Sequence, residues 1–306
     1  MSPVAQCGGP LDPSGKSDLN TQTETHGQTT LIPAVAVAGS AVMWGCWWWP
    51  LRLLDGMGLP GDWASLAIYV MATAVLAPVA WARRRHFRAG GLLLLGAGGL
   101  FGLMLVLWNR GVIIGDVLRV TLLFYLAPVW ASLFARAVLR QPVPALRVVS
   151  IALGLAGAAV VLGGPESGGL PLPHGEGDWL GLAAGVLFAG SATIARFAGT
   201  PTESGVRRQL GGFEQSFTSF AVGGAAAFLL AVLWPVGMPD GGDLLVSLPV
   251  AAAVALLWLL PQTWLVLWGA GRLDPGRTTL LLLLEVVAAA VSTPSRTASP
   301  SIPKTS

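Results

Sequence analysis

The residue in this sequence best suited to chemistry in an apolar setting is Glu285, a carboxylate in the run TTLLLLLEVVAAAVS. No other acidic residue lies as deep in an apolar run without a polar segment beside it. Thr278 and Ser292 lie seven residues before and after it, so a helix would place all three on one face. An ionised side chain at the centre of a bilayer costs about 2.5–3.5 kcal/mol, and such residues usually face a cavity or a partner. Glu285 is therefore predicted either to serve a binding site or to hydrogen-bond a neighbouring helix as a packing device.

A second polar stripe follows from the spacing of Thr121, Tyr125, Pro128 and Ser132, which lie four, three and four residues apart. On a helix these residues share one face. Pro128 lacks a backbone N–H, which leaves the carbonyl of residue 124 without its helical partner. Inside a membrane such a carbonyl is tolerated where it faces protein or a cavity. We favour a cavity-lining face over plain packing for this stripe.

Aromatic and amide groups in other apolar runs complete the candidate set. Pro261 frees the carbonyl of Leu257 beside Gln262, and Asn109 could either bind a polar substrate or cap its helix. The candidate cavity residues are Trp44, Trp108, Asn109, Thr121, Tyr125, Pro128, Gln262, Trp264 and Glu285. A cavity lined by these aromatic rings would suit flat or cationic amphipathic substrates through stacking and cation–π contacts.

Histidine, cysteine and phosphate-binding motifs point away from several classes of function. His26, His86 and His174 lie in polar segments, and Cys7 and Cys46 have neither disulfide nor metal spacing. The sequence contains no GxxxxGK[ST] loop for ATP, and it lacks paired deep acids or a nucleophile with a base at matched depth. We therefore expect no metal, no cofactor, no nucleic-acid partner and no enzymatic activity.

Membrane-spanning helices must position these residues. Of the 306 residues 54% are hydrophobic and 11% are charged, whereas a soluble domain carries about a quarter charged residues. The apolar runs lack period-two alternation and are long enough to cross a bilayer, which predicts an all-α polytopic membrane protein. Nine spans are predicted, near 31–51, 62–82, 91–109, 113–135, 145–163, 178–198, 211–235, 244–271 and 276–292. Trp47, Trp48 and Trp49 are expected in an aromatic belt at the membrane surface.

The distribution of arginine predicts the orientation. Arg83, Arg84, Arg85 and Arg88 form the loop after the second span, and further arginines flank the loops after the fourth and sixth spans. The polar segments 164–177 and 237–243 contain no Lys or Arg. Because short basic loops stay in the cytoplasm, residues 1–30 are expected to be a disordered cytoplasmic tail and residues 164–177 an external linker.

One pattern occurs twice, as D-x-x-R-x-T-L-L beginning at Asp116 and again at Asp274. Five predicted spans separate the two copies, and an odd number means that they enter the membrane from opposite faces. Each aspartate is predicted to cap its helix. Chance similarity between Leu-rich helices is the alternative explanation, but the shared offset and the topology favour an inverted duplication.

Several longer segments resemble one transporter family. They include WGCWWWPLRLL, LWNRGVIIGDVLRVTLLFYLAPVWASLFARAVLRQPV and LWGAGRLDPGRTTLLLLLEVVAAAVS. Over residues 31–292 the chain resembles the EamA family of the drug/metabolite transporter superfamily. In that family the position of Glu285 lies in an E-P motif, and Val286 stands here in place of the proline.

The resemblance implies a fold of ten helices in two inverted repeats of five, here a first repeat at 31–163 and a second at 178–292. It also implies a secondary carrier that exports or exchanges small organic metabolites by alternating access. Such a carrier would lie in a bacterial-type plasma (inner) membrane as a multi-pass protein. Its expected partners are the lipid bilayer, a small-molecule substrate and a second copy of the chain in a homodimer.

The sequence departs from the family pattern after the ninth span. Residues 293–306 are polar and proline-rich, and a segment of that composition cannot cross a bilayer as the tenth helix does. The second repeat is therefore predicted to be incomplete. Two functions stay open at this point: an active carrier, and a truncated non-transporting remnant or structural membrane protein.

Overall fold

The structure is a computed structural model that describes residues 31–138, 173–199, 210–234, 237–270 and 275–293, with isolated positions within 140–157 and at 272–273. Every regular element in these ranges is helical, so the predicted all-α class is confirmed. Seven helices there are long and apolar enough to cross a membrane. The chain is a polytopic membrane protein, as predicted.

The spans keep the numbers used in the sequence prediction. The long helices are the first at Leu31–Gly56, the second at Asp62–Ala82, the third at Arg84–Ile114, the fourth at Val117–Val138, the sixth at Glu176–Gly199, the seventh at Gly212–Leu233 and the eighth at Gly241–Val266. The ninth span consists of two short helices, Pro275–Leu282 and Leu284–Ser292. The fifth predicted span, at 145–163, falls largely outside the described residues, as do residues 1–30 and 294–306.

The third span extends beyond its predicted end, since the helix Arg84–Ile114, which is kinked at Gly91, does not stop at residue 109. Hydropathy favoured an end before Arg110 because a lone charge is costly in a membrane. In the structure Arg110 forms an ion pair with Asp62 at the start of the second span, and both side chains are buried. The helix can therefore continue through a charged residue.

The fourth and ninth spans break at equivalent positions. The first half of the fourth span is Val117–Phe124, and that of the ninth is Pro275–Leu282. When the sequence is aligned so that Asp116 matches Asp274, the two ranges begin and end at the same positions. Pro128 explains the break in the fourth span, because it cannot donate to the carbonyl of residue 124. At the same offset Val286 replaces that proline, so proline is not the cause of the break in the ninth span.

Asp116 caps the fourth span as predicted, since its Oδ1 accepts a hydrogen bond from the backbone N–H of Arg119 at 3.1 Å. The carbonyl of Phe124 lies against Gly185 of the sixth span, where a Cβ would be 2.8 Å from the oxygen. The carbonyl that Pro128 frees thus faces protein. Asp274, the predicted cap of the ninth span, lies outside the described residues.

Packing among the described helices centres on the third span, which contacts the sixth and the seventh. The fourth span packs on the sixth, the second on the seventh and eighth, and the ninth on the fourth. The first span contacts the eighth, where Ser40 Oγ donates to the Gln262 carbonyl at 2.8 Å, and it contacts the ninth at Gly45. If the chain consists of two repeats of five spans, each of the first five spans corresponds to the span five places later. The third–sixth, third–seventh and fourth–sixth contacts then correspond to first–eighth, second–eighth and first–ninth contacts, and all of these are present.

Candidate functional site

A hydrogen bond between Tyr125 and Glu285 joins the two broken helices. The phenol O–H of Tyr125 donates to Glu285 Oε2 at 2.8 Å. Tyr125 lies in the break of the fourth span, and Glu285 lies in the first turn after the break of the ninth. The carboxylate therefore faces the fourth span, and the pair occupies the place where both helices lose their regular backbone bonds.

The first span covers another side of the ninth helix. A Cβ on Gly45 would overlap the backbone carbonyl of Glu285, so the two helices pack at backbone distance there. Two turns beyond Glu285 in the ninth span, Ser292 Oγ accepts a hydrogen bond from Trp48 Nε1 at 2.9 Å. Glu285 and Ser292 thus make polar contacts to different neighbouring helices. The side chain of Thr278, the third member of the predicted stripe, lies outside the described part of the chain.

Gln262 is the most unusual buried polar residue of the described helices. Its side chain is fully buried, and neither its amide nitrogen nor its amide oxygen has a hydrogen-bond partner among the described residues. It follows a π-helical segment, Ala255–Leu259, and Pro261. π-helical segments inside helices are frequent at functional sites. An amide held in this way can both donate to and accept from a ligand.

Two other predicted site residues share the same property. Thr121 Oγ1 and Trp108 Nε1 are buried and have no hydrogen-bond partner within the described ranges. A buried polar atom without a partner costs about 1–3 kcal/mol. Both side chains therefore retain a donor that a polar ligand could use, provided that a conformational change exposes it.

Asn109 is hydrogen-bonded through both atoms of its side-chain amide. Its Oδ1 accepts from Trp47 Nε1 at 3.0 Å, and its Nδ2 donates to Ser65 Oγ at 3.0 Å and to the Tyr69 hydroxyl at 2.6 Å. It does not cap the third span, which continues to Ile114. The side chain instead cross-links the first, second and third spans. Trp47 takes part in this network and is fully buried, so its assignment to an aromatic belt was wrong.

The remaining candidates lie nearer the surface. Trp44 is half-buried and packs against Trp47, with ring centroids 6.0 Å apart. Trp264 is exposed and stacks on Trp268 at 5.7 Å. Pro128 is exposed as well. The structure thus brings Tyr125 and Glu285 into direct contact and leaves Trp264 and Pro128 on the outside of the described helices.

A set of arginine–carboxylate pairs, none of them predicted from the sequence, lies at the end of the helices that was predicted to be external. Arg110 pairs with Asp62 and, at 3.3 Å, with Glu176, and Arg119 pairs with Asp178 at 2.9 Å. The signal was present in the sequence. Arg110 and Arg119 lie on the predicted external side, where few arginines are expected. Acidic residues begin the second and sixth spans on that same side. Pairing neutralises each of these charges.

Comparison with known proteins finds a family resemblance in the first part of the chain. The model described as "EamA-like transporter family" matches residues 31–163, less than half of the chain, and confirms the resemblance over those residues. Four solved chains also match. One of them, described as "Crystal structure of protein", is 21% identical, and the alignment covers 88% of this chain and 98% of that chain with a TM-score of 0.44. No curated protein matches the chain. The family match is to membrane transporters.

Proposed function

Because residues 31–163 match the EamA-like transporter family, we propose that this chain is a secondary carrier that exports or exchanges small organic metabolites. The observation that carries the proposal is the pair of equivalent breaks in the fourth and ninth spans, bridged by Tyr125 and Glu285. Discontinuous helices near the midplane form the substrate and ion sites of many secondary transporters. The free ends of such half-helices supply backbone groups that a substrate can bind.

The carrier would work as two repeats, residues 31–163 and 178–292, joined by the linker 164–177. Span contacts that correspond after a shift of five support this division, and so does the shared D-x-x-R-x-T-L-L pattern. Alternating access then follows from rocking of one repeat against the other around the central site. The fourth span belongs to the first repeat and the ninth to the second, so rocking would move the two broken helices relative to each other. The Tyr125–Glu285 hydrogen bond would then form in one state and open in another.

We assign substrate recognition to Tyr125, Glu285, Gln262, Thr121 and Trp108. The unpartnered amide of Gln262 supports a substrate that offers both a donor and an acceptor, such as an amino acid or an amide. Trp44 would line the same path from the first span. Asn109 would support the site by holding three spans together, whereas Trp264 and Pro128 would contribute only from the periphery.

Glu285 is proposed to couple substrate movement to a proton. It is the deepest carboxylate of the ninth span, and a carboxylate that gains and loses contact with a phenol can bind and release a proton between two states. Glu285→Gln keeps the shape and removes the titration. We expect this substitution to lower flux at least about tenfold, because it replaces a charge-assisted hydrogen bond that contributes about 1.5–3 kcal/mol, and to abolish the dependence of flux on external pH.

The measurement is efflux from liposomes loaded with radiolabelled amino acids or with a cationic dye, at several external pH values. Tyr125→Phe is the companion variant, which should lower flux but keep a pH dependence. Glu176→Gln is the matched control, because its carboxylate lies at a helix start and is largely exposed; it should transport like the parent. Parent-like transport by Glu285→Gln at every pH would refute the proton role, and no flux from the parent with either probe would refute the carrier.

The orientation is proposed from the basic loops, with the amino terminus in the cytoplasm of a bacterium and the protein in its inner membrane. Reporter fusions after Arg88 and after Gly168 are expected to read cytoplasmic and external respectively. Alkaline phosphatase and green fluorescent protein at both positions provide opposite signals, so each fusion controls the other. The reversed pattern would overturn the orientation.

A further inference from the structure

The segment between the second and third spans forms a short helical element of its own. The second span ends at Ala82, and the chain turns at Arg83. Gly91, with φ of +52°, breaks the helix again, so residues 84–90 are separate from the apolar helix that follows. Trp81 is 75% exposed and Leu92 is 85% exposed on either side of it. Tryptophan is enriched at the boundary between membrane and water, so Trp81 is expected to lie there.

The element is held in place by aromatic contacts and by one ion pair. Phe87 makes edge-to-face contacts with Phe213 and Phe217 of the seventh span, with centroids 6.5 and 5.4 Å apart. Arg83 pairs with the buried Glu214 at 2.7 Å. These contacts fix the element against the seventh span, and Glu214 is already paired with Arg83.

Three further arginines, Arg84, Arg85 and Arg88, are exposed on this element. Arg84 lies over the ring of Trp81 at 5.6 Å and donates to the Trp81 carbonyl at 3.2 Å. None of the three forms an ion pair with a carboxylate of the described residues. Three positive charges within five residues therefore lie close to Trp81, which is expected at the membrane boundary.

We propose that residues 84–90 bind the headgroup phosphate of an anionic phospholipid. Guanidinium groups form paired hydrogen bonds with phosphate oxygens. Basic residues beside a membrane helix each contribute about fivefold to binding of an anionic lipid surface. A soluble phosphate would use only the arginines, whereas a lipid would also contact Trp81 and Leu92. The lipid would thereby stabilise the junction at which the second, third and seventh spans meet. This inference is independent of the proposed transport activity.

The test compares lipid preference of the purified full chain in nanodiscs that contain mixtures of phosphatidylglycerol and phosphatidylcholine. The double variant Arg85→Gln/Arg88→Gln should lose about fivefold in preference for phosphatidylglycerol for each arginine removed. Arg85→Lys/Arg88→Lys keeps the charge and should retain most of the preference. Lipid retained on the protein, measured by mass spectrometry after exchange into detergent, provides the readout.

Arg272→Gln is the matched control. Arg272 is also exposed and lies over a tryptophan, Trp268, at 4.3 Å, but it does not belong to a cluster of three arginines. It should leave the lipid preference unchanged. An unchanged preference in the double glutamine variant would overturn the proposal, and so would an equal loss in Arg272→Gln. Competition by glycerol phosphate as strong as that by the lipid would show a general anion site and would overturn it too.

Discussion

Replacement of Asp62 by asparagine is expected to lower the free energy of unfolding by about 3–5 kcal/mol. Asp62 and Arg110 form an ion pair between the second and third spans, and their side chains are only 1% and 6% exposed. A guanidinium stays charged at any accessible pH. Asp62→Asn therefore leaves a buried charge without its closest counter-ion. Reversible unfolding in mixed micelles, followed by circular dichroism, measures the change.

Two further variants make this prediction specific to the buried pair. Glu176 contacts the same arginine at 3.3 Å, but its side chain is 58% exposed. Glu176→Gln should therefore cost only about 0–1 kcal/mol. The double variant Asp62→Leu/Arg110→Leu removes both charges and should recover most of the loss. If Asp62→Asn costs no more than Glu176→Gln, the ion pair does not stabilise this end of the helices.

Substitution of alanine for Gly102 is expected to destabilise the protein by about 3 kcal/mol, near the upper end of the usual cost of overpacking. A Cβ at this position would overlap the carbonyl oxygen of Ser219 and lie 2.8 Å from the backbone nitrogen of Gly223. Both groups belong to the backbone of the seventh span and cannot rotate away. The two helices would have to separate, and small residues are what permits such close packing in membranes.

Gly99→Ala is the control, one turn away on the same helix. The nearest atom to a Cβ there is a Val222 methyl at 3.9 Å, which is an ordinary contact. Alanine has a higher helix propensity than glycine, so this variant should be neutral or stabilised by up to about 1 kcal/mol. Equal effects of the two substitutions would mean that close contact between the third and seventh spans does not limit stability.

Hydropathy and spacing predicted much of the architecture because they reflect the bilayer and the local backbone. An apolar run of about 20 residues must form a helix to satisfy its own backbone groups, and seven long apolar helices lie where such runs were found. The same local logic predicted the cap at Asp116, since an aspartate before a helix has free N–H groups within reach. The repeat at Asp116 and Asp274 also indicated the two helices that turned out to break at equivalent positions.

Partners across the fold depended on the tertiary structure. Tyr125 and Glu285 are 160 residues apart in the sequence, and only packing of the fourth against the ninth span brings them to 2.8 Å. The third span passed its predicted end because Arg110 pairs with Asp62, and the charge distribution in the sequence could not show which residue of another helix would be that partner. Asn109 joined a three-helix network for the same reason. The sequence by itself determined which segments enter the membrane, since that depends on the transfer of each segment from water to lipid. Which polar groups meet inside was decided by helix packing, because a buried polar group is stabilised only by the neighbour that the whole fold supplies.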